Sequence, residues 1–201
     1  TTEIYTLSLH DALPIFRWIT MANRYTLNQI NAIAERKVFF DTNVLIYLFW
    51  PSGSFRWENY YSSAFGSLLR QQNELCVDFL VVSEIVNRAH RIEYDKYLQQ
   101  NNITKHDLNY KAYRDSKDGK DALSDIYLII NDNILNHFTI VGRSFTKADI
   151  QSFLTIKSLD FVDKAILTIC KENGYILCTN DKDYCKADID ILTSNPNILN
   201  S

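Results

Sequence analysis

Glycine and proline are scarce in this chain, with 5 and 3 among 201 residues. So little punctuation leaves no low-complexity linker and no obvious place to divide the chain, so one domain with its own core is expected. Cysteine is equally sparse. Cys76, Cys170, Cys178 and Cys185 form no CxxC pair and no metal-binding spacing with histidine, which favours buried free thiols in the reducing cytoplasm. Long apolar runs are missing as well: the longest, "VLIYLFW", stops at Pro51, far short of the ~20 residues that cross a bilayer, so no membrane role is expected. Positive charge is not in excess either. A formal net charge of −3 argues against sequence-independent attraction of nucleic acid over the whole surface, while leaving room for a local basic face. No GxxxxGK stretch occurs, which excludes a P-loop.

Methionine occurs once, at Met21. The residues before it, "TTEIYTLSLHDALPIFRWIT", have no basic n-region and no small-residue cleavage site, so they are not a secretory signal. The string "SLHDALPI" resembles a translated sequencing adapter. Residues 1–20 are therefore expected to be a non-native leader, and 21–201 the domain.

What is present is a globular composition, 46% hydrophobic and 22% charged, in which short β-type runs alternate with helical patterns. "TLNQINAIAER" puts Leu27, Ile30, Ile33 and Ala34 on one helical face behind Thr26. "KVFF", "ELCV", "FTIVG", "YILCT" and "DIDIL" predict strands. "WENYYSSAFGSLLRQQ", "FLVVSEIVNRAHRIEYDKYL", "ALSDIYLIINDNILNHF", "FTKADIQSFL" and "LDFVDKAILTICKENG" predict helices, the last ended by Gly174 and the one before it opened by a Thr-x-x-Asp signal. The polar stretch from Gln99 to Asp121 predicts some helix with a turn at Asp118-Gly119. This alternation implies an α/β fold with a mainly parallel central sheet between two layers of helices, carrying an extended helical insertion over about 88–157.

In such a sheet, functional groups gather at the carboxyl ends of strands. Asp41 interrupts the apolar run "KVFFDTNVLIYLFW" just after a strand, and burying a charge there without a partner is costly. Asp181 follows "YILCT", Glu84 opens the helix after "ELCV", and Asp160 and Asp163 begin the helix that leads into "YILCT". Each has a plainer reading: a helix N-cap for Asp41, an i,i+4 pair with Arg88 for Glu84, a favourable helix N-terminus for Asp160 and Asp163, turn residues for Asp181 and Asp183. Their conjunction is harder to explain so. Two carboxylates ~4 Å apart at an effective dielectric of ~20 repel by about 4 kcal/mol, which a divalent cation or shared protons would relieve. All-oxygen ligands suit Mg²⁺ or Mn²⁺ rather than zinc.

"VFFDTNVLIYLF", then "VVSEIVNR", then "DFVDKAILTICKENGYILCTNDKDY" resembles the PIN-domain family of metal-dependent ribonucleases, the toxins of toxin–antitoxin pairs of the VapC type in particular. The resemblance implies that Asp41, Glu84, Asp163 and Asp181 hold Mg²⁺ or Mn²⁺ and carry catalysis. It also implies that Asn43 and Thr179 support the site by hydrogen bonds, with Asp183 and Asp160 in secondary roles. Tyr184 stands where the family commonly has Phe, and the stretch from Glu84 to Asp163 is longer than compact members carry. The implied substrate is RNA, the implied partners a small antitoxin protein and a second copy of the chain. Housekeeping RNA processing and a non-catalytic RNA-binding module are the alternatives. A phosphatase of the haloacid-dehalogenase type needs a second Asp where Asn43 stands. Between Arg88 and Lys120, eight basic side chains face five acidic ones, with Tyr94, Tyr97, Tyr110 and Tyr113 interleaved. Arg88, Arg91, Lys111 and Arg114 are thus expected to contact RNA, with the tyrosines as stacking faces; a solvated helical arm is the plainer account.

Overall fold

The computed structural model describes residues 22–50, 53–156 and 158–201; the expected leader, 1–20, lies outside them. Six strands form one fully parallel sheet: β1 (Arg24–Tyr25), β2 (Val38–Phe40), β3 (Leu75–Asp78), β4 (Thr139–Val141), β5 (Ile176–Cys178) and β6 (Ile191–Leu192), in the spatial order β1-β6-β5-β2-β3-β4. β2, β3 and β5 are buried at every position, as uninterrupted apolar runs covered on both faces should be. β4, at one edge, stays largely exposed.

From β2 the chain moves outward through β3 to β4 on one side, then returns through β5 and β6 on the other. The strand order therefore reverses at β2. Strands diverging from such a point leave a crevice beyond their carboxyl ends, where an α/β sheet can receive a ligand. Asp41 is the first residue past β2.

Helices α1 (Thr42–Phe49), α2 (Phe55–Arg70) and α3 (Phe79–Asn101) follow the first strands. α4 (Tyr110–Asp115) and α5 (Lys117–Ile129) form an arm; a π-helical turn, Ile130–Ile134, joins α5 to α6 (Leu135–His137). α7 (Lys147–Phe153), α8 (Phe161–Asn173) and α9 (Pro196–Leu199) complete the chain. The signals at α7 and α8 take the form the sequence suggests. Thr146 and Asp149 make a reciprocal capping box, and Gly174 ends α8 at φ 66°, a left-handed conformation that glycine adopts without a Cβ penalty. The segment after Thr26 is instead a 3₁₀ helix, Leu27–Ile33, tightened by a capping box with Gln29.

Two expectations about the middle of the chain change. Asp118-Gly119 is no turn; both lie in the first turn of α5, and the break falls one step earlier, at Ser116, whose hydroxyl accepts from the Gly119 N–H at 3.1 Å. Glycine is needed there for proximity, since a Cβ would run into the Tyr113 carbonyl and lie 2.9 Å from the Arg114 Cα. Nor is 88–157 a purely helical insertion. α3 crosses residue 88 without a break, and β4 lies inside the segment, paired with β3. The apolar stripe of α3 explains this: Val81, Ile85 and Ala89 belong to the main core, and one or two turns on, Tyr94 and Leu98 join Tyr113 in a small core of the arm's own.

His90 ties that arm together. Its Nε2 lies 2.9 Å from the Gly119 carbonyl and its Nδ1 2.9 Å from the Tyr110 hydroxyl. A carbonyl only accepts, so Nε2 carries the proton and Nδ1 accepts from Tyr110. One buried imidazole thus links α3 to both α4 and α5.

Candidate active site

Beyond the carboxyl ends of β2, β3 and β5 lies a cleft of about 320 Å³, lined by Asp41, Asn43, Leu80, Ser83, Glu84, Asn87, Arg88, Asp160, Val162, Asp163 and Asp181. Among the described residues, five carboxylates from four chain segments share it with one cation, Arg88.

Asp41 stands at the N-cap position of α1, but its side chain makes no capping bond. It is 5% exposed. Its Oδ2 accepts from the Thr179 hydroxyl at 2.6 Å and from Asn43 Nδ2 at 2.7 Å. Burial pushes its pKa up to about 7; the Thr179 bond opposes this, and repulsion from Asp163 and Glu84 adds to it. Such a carboxyl is poised to exchange its proton for a cation near neutral pH.

Thr179 is fully buried and also accepts from the Asp181 N–H at 3.0 Å. The Asn43 carbonyl accepts from the Asn180 N–H at 3.1 Å. Tyr61 donates to the Thr179 carbonyl at 3.0 Å, and Asn195 Nδ2 to the Asn180 carbonyl at 2.7 Å. The loop 179–181 is therefore held from α1, α2 and the C-terminal segment, so that Asp181 reaches the cleft from a fixed backbone.

Glu84 sits in the second turn of α3. Its Oε2 accepts from the Thr42 hydroxyl at 3.0 Å, and its Oε1 lies 3.4 Å from Arg88 Nη1. Asp160 caps α8 by accepting from the Asp163 N–H at 2.8 Å, the plainer role foreseen for it, and still lines the cleft. Asp163 Oδ1 accepts from the Tyr184 hydroxyl at 2.9 Å. Burial raises the Asp163 pKa to about 6; the Tyr184 bond opposes the rise, and Asp160 and Asp181 reinforce it.

Asp183 points elsewhere, lining a separate pocket with Lys164 and Lys186. Its contribution to the site is its backbone N–H, which donates to Asp181 Oδ1 at 3.0 Å. Of the four basic residues expected to meet RNA, only Arg88 lines the cleft. The Arg91 guanidinium lies over the Tyr110 ring at 4.4 Å, Arg114 pairs with Asp115 at 2.9 Å, and Lys111 is exposed on α4. The stacking role expected of the tyrosines fails for Tyr94 and Tyr113, which are 5% and 2% exposed in the arm's core; packing α4 and α5 onto α3 consumes their faces. Sequence reasoning passed over the Thr42 and Tyr184 hydroxyls and the cleft residues Ser83 and Asn87. Thr42 carried a local signal, being the middle residue of Asp-Thr-Asn; Tyr184 carried none for a contact with Asp163.

The donor set suits a hard divalent cation, being all oxygen and rich in carboxylate. Among the described residues, however, no three His, Cys, Asp or Glu side chains form a ready-made coordinating group. The acids line the cleft walls, as mutually repelling charges do, and side-chain rotation would have to bring them onto one ion. Three of the four thiols, Cys76, Cys170 and Cys178, are buried with their pKa values raised by that burial, so they serve as core. No helix among the described residues is long and apolar enough to cross a membrane.

No curated protein matches the chain. The family model of the PIN domain matches residues 38–190, about three quarters of the chain and the whole span from β2 to the approach of β6. With five carboxylates gathered at the switch point of a parallel sheet inside that span, the chain belongs to the PIN domain family, whose members are generally nucleases.

Proposed function

We propose that this protein is a Mg²⁺- or Mn²⁺-dependent endoribonuclease, with Asp41, Glu84, Asp163 and Asp181 as its metal-holding and catalytic residues. The observation that carries the proposal is the cleft: five acids from four chain segments, among them a buried Asp41 whose pKa is pushed up to about 7. A structural role does not account for Asp41 and Asp163, whose raised pKa values make the folded chain less stable as they ionise. A divalent ion bound there supplies Lewis-acid charge at the scissile phosphate and a water of lowered pKa.

The chain's own groups do the rest. Thr179 and Asn43 fix Oδ2 of Asp41. Asp181, on its braced loop, is placed to orient a water. Half-exposed Arg88 is the cation among the described residues lining the cleft that could meet a substrate phosphate there. RNA cleavage with and without EDTA tests the proposal. Mg²⁺ or Mn²⁺ should support cleavage of single-stranded or looped RNA, and Asp41→Asn or Asp163→Asn should abolish it. Undiminished cleavage by either variant overturns it.

For the cellular role we favour the toxin of a toxin–antitoxin pair, acting in the cytoplasm, held by a small antitoxin protein and dimeric. What supports a protein partner is apolar surface beside the cleft. Phe79 is 76% exposed and Phe161 46%, and both line a largely apolar pocket that shares Leu80 and Val162 with the acidic cleft. Light scattering of the purified chain, alone and co-expressed with any small reading frame found beside its gene, tests this. A monomer that gains no partner and does not slow growth when expressed points instead to housekeeping RNA processing.

A further inference from the structure

The three acids nearest the centre of the cleft share a pattern. Each accepts from a hydroxyl on another element: Asp41 from Thr179 at 2.6 Å, Glu84 from Thr42 at 3.0 Å, Asp163 from Tyr184 at 2.9 Å. The third pairing differs in kind. Tyr184 is fully buried, in the short 3₁₀ helix Lys182–Lys186 that follows Asp181. Its ring is fixed by the core on every side, and its one hydrogen-bond partner among the described residues is Asp163. With the ring packed in the core, its two side-chain torsions are held, and the hydroxyl at its end is held with them.

We propose that Tyr184 is a positioning residue for the acidic cleft. Its hydroxyl holds Asp163 Oδ1, so that Oδ2, which has no partner among the described residues, is presented toward Asp41 and Glu84. It also joins two acids on different elements. Asp181 caps the helix that carries Tyr184, and Tyr184 in turn grips Asp163 on α8, so the spacing between Asp181 and Asp163 is set through one rigid ring. Without the hydroxyl, the Asp163 side chain would rotate about two bonds, and an ion would have to order it on binding. This inference depends on the metal-site reading above.

The test is Tyr184→Phe in the full-length chain, which removes one oxygen and leaves the ring in the core. Calorimetric titration with Mn²⁺ alone, and the rise in melting temperature that Mn²⁺ produces, read the site without reference to cleavage. Mn²⁺ affinity should fall about five- to tenfold, and the Mn²⁺-induced rise in melting temperature should shrink with it. In RNA cleavage the Mn²⁺ concentration for half-activation should rise by a similar factor, while kcat at saturating Mn²⁺ stays within about twofold. Unchanged affinity overturns the proposal, and so does a phenylalanine variant that fails to fold without metal, since the hydroxyl then serves stability. A wild-type chain that binds Mn²⁺ but cleaves no RNA defeats the nuclease reading and leaves the positioning role to be decided by the Mn²⁺ affinities. A wild-type chain that binds no Mn²⁺ defeats both.

Discussion

Replacing Asp41 with asparagine should make the metal-free protein more stable, and the gain should grow with pH. In the folded chain Asp41 keeps its proton up to about pH 7, against an ordinary value of 3.8. Between those two pH values the folded chain binds more protons than the unfolded chain. Stability therefore falls as pH rises through that window. The displacement corresponds to about 4 kcal/mol above pH 7, an upper bound because water in the open cleft screens part of it, so on the order of 2 kcal/mol is expected in practice. Asparagine is neutral at every pH, and its carbonyl still accepts from Thr179 and Asn43 in place of the carboxylate oxygen. Urea unfolding in EDTA at about pH 5, 7 and 8.5 should show wild type and variant diverging from pH 5 to 7 and levelling off above it, with the variant the more stable at the alkaline end. Added Mn²⁺ should then reverse the order, because an ion held by the folded state at a hundred times its Kd stabilises by about 2.7 kcal/mol and the variant lacks a ligand. A variant less stable than wild type at pH 8.5 in EDTA would refute the reasoning, because a structural carboxylate loses stability when neutralised. A difference that does not vary with pH would refute it equally.

Three further outcomes follow from the geometry. Gly119→Ala should destabilise the chain by roughly 1–3 kcal/mol, as overpacking does, because the methyl meets the Tyr113 carbonyl; unchanged urea unfolding would show that α4 and α5 part freely at Ser116. Arg88→Lys should leave stability within about 0.5 kcal/mol, since the pair with Glu84 is long and half-exposed, yet reduce RNA cleavage several-fold through loss of the planar donor pair. Full cleavage by that variant would reduce Arg88 to a surface ion pair. Reversing charge together at Lys111 and Arg114 should lower RNA affinity and flatten its salt dependence by up to about two in log–log slope. If the slope measured by titration between low and moderate salt does not move, the arm has no part in binding RNA.

The strands of the sheet were legible because burial on both faces writes them as unbroken apolar runs, which is why "VFF", "LCV" and "ILC" stand out. β1 was not. Two residues, Arg24 and Tyr25, with half-exposed side chains carry no periodicity, and the strand exists because β6 offers a free edge to pair with. Asp41 and Asp181 stood out as carboxylates just past an apolar run, whereas Glu84 and Asp163 lie on α3 and α8 and were singled out by their place in those helices and by the family resemblance. The arm misled because tyrosine between basic residues has the same composition whether it faces RNA or a small core. What separates the two is the spacing of Tyr94 and Leu98 on α3, i,i+4 on one face, which was available and outweighed by charge.

The hydroxyl contacts explain why the finer site was less legible than its acids. Thr179 reaches Asp41 across 138 positions, Thr42 reaches Glu84 across 42, and Tyr184 reaches Asp163 across 21. None follows from a helical or strand period, since each joins side chains that only the closed sheet brings together. The acids themselves announce chemistry because they are expensive to gather, whereas a threonine or tyrosine in a core is ordinary until its hydroxyl must find an acceptor. In this cleft each of those hydroxyls finds one on a carboxylate. For Asp41 and Asp163 that bond favours the charged form and opposes the burial that raises the pKa. Those two acids therefore sit between opposing effects: without the hydroxyls their pKa values would rise further, and with less burial they would fall toward those of ordinary surface carboxylates. The raised values of about 7 for Asp41 and about 6 for Asp163 are the balance of those opposing forces, and both lie close to neutrality.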